Sequence, residues 1–219
     1  MLLQALLVAH IAVLGYWLGA ELVINSTYRY VAYSAGMPFA ERDRLMDHVM
    51  DVDQHVRYAL VLQAGLGTIL AGLYGLLPGG NSLAWLAAGL SAAWLALVEA
   101  AHRQRKTPAG VRLAALDRGI RYLLAASLLG FAVASVAGVV VTPRWLAWKL
   151  AAFGGVIACG LAIRFSLMAF YRTWDEIARE GPSEARELAV RSIYVRATGV
   201  LALLWLLIGV IATLSVLKP

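Results

Sequence analysis

His10, Leu14, Trp17 and Glu21 fall at i, i+4, i+7 and i+11 of the first apolar run, so an imidazole, an indole and a carboxylate share one helical stripe. Ionisable groups inside a bilayer are costly and usually face protein or water, which makes this stripe the first place to look for chemistry. At 1.5 Å per residue His10 lies about 10 Å below the outer end of its helix. An imidazole there is either hydrogen-bonded within a bundle or a metal ligand, and haem iron and copper are the metals it suits. A haem needs one or two axial ligands at a common depth. Lys149, one turn inside the outer end of the fifth apolar run, is level with His10. As the alternative, its ammonium snorkels to the outer head groups.

The other three histidines fall at the opposite end. Glu99 and His102 form a Glu-x-x-His pair, one helical turn apart, and His48, Asp51 and His55 follow one another at i, i+3 and i+7. Glu21 arrives at the same end from the first run. One Glu-x-x-His with carboxylates from other helices is part of a di-iron pattern, and mixed imidazole and carboxylate sets also suit zinc or manganese. The set therefore reads as a second metal site made of His48, Asp51, His55 and His102, as a proton path through Glu21 and Glu99, or as a charge cluster paired with Arg57, Arg103 and Arg105. Hydrolase nucleophile signatures, phosphate-binding glycine loops and cysteine metal pairs are not evident.

These residues need elements to hold them, and the composition says which. Of 219 residues 61% are hydrophobic and 15% charged, and the mean hydropathy is +0.73, too apolar for a soluble domain of this size. A spanning helix takes about 20 apolar residues. Six runs qualify, near Leu3 to Val23, Tyr58 to Leu77, Leu83 to Ala101, Ile120 to Val141, Trp145 to Tyr171 and Ala197 to Leu217. The expectation is an all-α polytopic bundle of about six transmembrane helices forming a single transmembrane domain over residues 1–219.

Charge sets the orientation. Sixteen of the nineteen Lys and Arg residues lie in or beside residues 24–57, 102–119 and 172–196, while the other side holds Arg144, Lys149 and Lys218. The positive-inside rule makes the crowded side cytoplasmic and leaves both termini outside. The net charge of +6 then predicts anionic lipid as neighbour rather than nucleic acid. Met1 to Ala20 lacks a basic n-region and an obvious processing site, so it is expected to remain as the first helix.

Two loop segments are themselves helical in pattern. Leu45, Val49, Val52 and Val56 line one face of residues 38–56, which predicts an interfacial amphipathic helix running into the second span. Residues 172–196 predict a cytoplasmic helical loop, broken at "GPS" and restarting at Glu184. The short connections "LPGGNS" and "TPR" predict antiparallel neighbours on either side. Gly15, Gly19, Gly65, Gly67 and Gly72 read first as close-packing positions between helices.

The segment "HIAVLGYWLG", with His10, Trp17 and Gly19, resembles the first-helix pattern of the haem-binding HemJ-type protoporphyrinogen oxidases and the related CopD-like membrane proteins. "WLAWKL" from Trp145 to Leu150 is similar to their tryptophan and lysine motif, and "VLKP" to their C-terminus. The likeness covers helices one, two, five and six, with three and four as an insertion, and "YWLGAEL" resembles a group of six-helix proteobacterial membrane proteins. It implies a bacterial inner-membrane haem b protein with His10 and Lys149 at the haem and Trp17 and Trp148 against the porphyrin edge. It further implies electron exchange with quinone or a porphyrinogen-like substrate, with Glu21 or Glu99 assisting proton release.

The CopD-like side of the resemblance offers a copper-type transport or handling protein instead. Copper(I) favours thioether and thiolate ligands, yet Met37, Met46 and Met50 lie in the first charged loop and Cys159 stands alone. A non-catalytic accessory subunit, in a homo-oligomer or a larger membrane complex, is the third reading.

Overall fold

The computed structural model describes residues 1–218. Every regular element is helical: α1 (Leu2–Tyr33), α2 (Phe39–Leu73), α3 (Gly80–Arg103), α4 (Pro108–Val136), α5 (Arg144–Glu180) and α6 (Glu184–Leu217). All six are long and apolar enough to cross a membrane. Even the shortest, with 24 residues, measures about 36 Å at 1.5 Å per residue, against about 30 Å of hydrocarbon. All but α2 carry large apolar side chains on their outer surfaces, among them Leu22, Leu86, Leu123, Phe165 and Leu206. A water-soluble bundle would bury those, whereas lipid solvates them.

The expected loops are mostly helix. α1 continues to Tyr33 and α2 begins at Phe39, so the amphipathic segment and the second span form one uninterrupted helix. α5 runs to Glu180 and α6 restarts at Glu184 after the "GPS" break. There Gly181 takes φ 82° to end α5, and the Ser183 Oγ accepts the Arg186 backbone N–H to start α6. At the other face α2 and α4 stop earlier than hydropathy predicts, at Leu73 and Val136. The following glycines explain this: Gly75 (φ 67°) and Gly138 (φ 76°) adopt the left-handed conformation that closes a helix, and apolarity alone does not report it.

The chain gathers into two compact units. The first contains Met1–Ile24 and His48–Ile120. In it α1 runs antiparallel to α2, with Gln63 donating to the His10 carbonyl at 2.9 Å and Tyr16 meeting His55. α2 packs antiparallel on α3 as its short loop predicts: Gly72 backs onto Gly80 and Leu83, Gly65 onto Ser91, and Gln54 donates to the Val98 carbonyl. Helices lacking a hydrophobic drive to associate rely on such close approach. The Trp94 indole then ties α3 to α4 through Asp117 at 2.8 Å.

The second unit contains Asn25–Asp47 and the chain from Arg121 onward. α5 and α6 form its antiparallel hairpin, with Gly155 against Leu207, and Gly154 brings α5 onto Leu129 of α4. The last turns of α1 lie on α6, where Thr198 donates to Asn25 at 3.0 Å and Arg191 reaches the Ala32 carbonyl.

Candidate functional site

In the first unit, His10 is half-buried. Its main chain is held by Gln63, and its ring lies against Gly67, the Cε1 atom 3.5 Å from where a Cβ at that position would stand. That is ordinary van der Waals contact, so the imidazole packs on α2 at this position. Two and three turns further along α1, Trp17 and Glu21 are buried at 2% and 7% exposure, the indole N–H donating to the carboxylate at 3.2 Å. Trp17 thus has no free face, and contact with an added ring requires the unit to open.

Lys149 belongs to the second unit, where it is half-buried. Its neighbour Trp148 is 57% exposed, a flat aromatic surface at the helix start. The Lys218 ammonium lies 5.8 Å from the centre of the Trp145 ring, so two lysines and two indoles mark this end of α5 and α6.

The charged end of the first unit gathers much of the expected polar set. Asp51 accepts from Arg105 at 2.9 Å. That hydrogen bond, aided by the charges of Arg105, His102 and His48, holds the Asp51 carboxyl below the usual carboxylate range. Glu99 takes both the Tyr58 hydroxyl and the Arg103 guanidinium. His55 instead turns its Nδ1 to the Tyr16 hydroxyl at 2.5 Å and sets its ring edge against Tyr58. Among the described residues no three His, Cys, Asp or Glu side chains are grouped so as to hold a metal ion.

Several interactions had no signature in the sequence. Asp53 bonds Arg57 one turn away at 2.9 Å, and Asp117 is buried under Trp94. In the second unit Arg42, 1% exposed, makes a two-pronged ion pair with Glu187 at 2.7 and 2.9 Å. Its guanidinium lies 4.9 Å from the centre of the Trp174 ring. That indole donates to Asp43 at 2.8 Å and stacks on Phe170, whose ring meets Tyr28, which in turn meets Tyr194. Three tryptophans, Trp17, Trp94 and Trp174, each donate to a carboxylate. Only the first pair, at i and i+4, was visible as a pattern.

No family model, curated protein or solved structure matches the chain. The functional reading therefore stands on the residues and on the resemblance carried by the helix-one and helix-five motifs.

Proposed function

We propose that the chain is a multi-pass protein of a bacterial inner membrane that binds haem b at His10 and exchanges electrons with a membrane-soluble carrier, as the HemJ-like motifs suggest. The single observation that supports it best is the setting of His10. An imidazole in the apolar length of α1 has its backbone fixed by Gln63 and its ring fitted against a glycine, a pre-positioned donor in surroundings of low polarity. Neutral imidazole is a suitable iron donor. Lys149 and Trp148, in the second unit, carry the other motif on which the resemblance rests. Trp17 supports the site indirectly, by fixing Glu21.

When bound, the haem supplies single-electron transfer at a potential set by its ligands and its burial. The chain's own residues handle charge and protons. Glu21, shielded from solvent and held by the Trp17 N–H, can hold a proton within the unit, and Glu99, bonded to Tyr58 and Arg103, can pass one toward the charged end. The surplus of basic residues at that end supports a cytoplasmic orientation with both termini outside.

The reading is tested by a reduced-minus-oxidised absorption spectrum of the purified protein. Soret and α bands are expected in the wild type and lost in His10→Ala. Folded, colourless wild-type protein from haem-sufficient cells would remove haem from the account.

A further inference from the structure

Arg144, Lys149 and Lys218, the three cations of the sparsely charged side, all lie at one place, the open end of the α5–α6 hairpin. No Asp or Glu side chain shares that end, because all thirteen fall within 21–53, 99–117 and 175–187, toward the opposite side. Arg144 opens α5, and Lys218 closes α6 in the left-handed conformation (φ 43°, ψ 51°), its ammonium over the Trp145 ring. Lys149 is half-buried, four residues into α5 from Trp145, where the apolar run begins, which is about 6 Å of helix. The charged group that acts on it is Lys218, of like sign.

A cation held partly out of water beside a second cation is costly until an anion joins them. The Lys149 side chain leans toward the N-terminus of α5, which carries its ammonium from the apolar layer up to the head groups. Beside it Trp148 turns a largely exposed ring outward. This end therefore offers positive charge at the head-group level and an uncovered apolar ring next to it. An anion dissolved in water meets only the charge. A phospholipid, with its phosphate at one level and its acyl chain at the next, meets both. The cluster of cations also opposes a head group that brings an ammonium of its own.

We infer that Lys149 and Lys218, with Arg144 at the start of α5, clamp the phosphate of one net-negative phospholipid, such as a phosphatidylglycerol, whose acyl chain lies on Trp148. Each ammonium donates to a phosphate oxygen, and the two ion pairs replace the repulsion between the lysines. This differs from the snorkelling of a single lysine, because the site needs both lysines and selects one class of lipid. It lies wholly within the second unit and is separate from the haem proposed at His10.

The test is native mass spectrometry of the full chain in neutral detergent, titrated with phosphatidylglycerol or with phosphatidylethanolamine of the same acyl chains. One held phosphatidylglycerol is expected, with phosphatidylethanolamine about tenfold weaker because of its ammonium. Lys149→Gln and Lys218→Gln should each weaken phosphatidylglycerol about tenfold, the weight of one charge-assisted hydrogen bond, and bring the two lipids level. Arg112→Gln removes an exposed cation from the opposite side and should leave the preference unchanged. Thermal unfolding gives a second readout and checks that the variants fold. Phosphatidylglycerol should raise the wild-type midpoint but not that of either lysine variant, and without lipid Lys149→Gln should unfold no earlier than the wild type. Equal affinity for the two lipids in the wild type overturns the site, as follows if a carboxylate of the chain itself neutralises the lysines. An equal loss in Arg112→Gln also overturns it, by reducing the effect to net charge. So does inorganic phosphate that raises the midpoint as far as the lipid does, since the acyl chain then plays no part.

Discussion

Arg42 has almost no exposed surface, and its charge is met by both oxygens of Glu187 and by the face of Trp174. Removing one partner of a buried pair leaves the other charged and desolvated, so Arg42→Ala or Glu187→Ala is expected to cost about 3–5 kcal/mol. The double variant Arg42→Met with Glu187→Leu should recover much of that loss, because no charge is then left without a partner. Thermal unfolding of the three proteins in detergent, followed by tryptophan fluorescence, measures both effects. The sequence could not have singled this pair out. Arg42 is one of nineteen cations, and its partner lies 145 residues away. His10 and Glu21 were legible because they interrupt an apolar run; Gln63 and Tyr16 were not, because their roles exist only across a helix pair.

At the scale of helices, the glycines divide by what faces them. Gly65 is buried in the α2 to α3 contact against Ser91, whereas Gly89 on α3 is exposed with nothing near it. Gly65→Val should therefore force the pair apart at about 1–3 kcal/mol. Gly89→Ala should be neutral or stabilising by up to about 1 kcal/mol, the helix-propensity difference. Comparing their unfolding midpoints checks the packing directly. Hydropathy revealed the six helices and the "GPS" break. It did not reveal how far the helices extend, since the charged turns of α1, α2, α5 and α6 are held by buried tertiary partners and lower the very signal that marks a span.

For the whole molecule, the charge asymmetry predicts that a reporter active only outside the cytoplasm works when fused at either terminus or within "LPGGNS", and fails when placed in residues 104–107. Moving basic residues from that loop to the "TPR" loop should weaken the bias. The Arg42 to Glu187 pair also has a meaning in time. A ribosome adding about 5–20 residues per second needs about 7–30 s to make the 145 residues between them. Throughout that interval the start of α2 has an arginine whose seat does not yet exist. A chain that ends before α6 never acquires it, so a fragment ending in the "GPS" turn should be held by chaperones and degraded, and completion of the last helix becomes the step at which the nascent protein escapes surveillance.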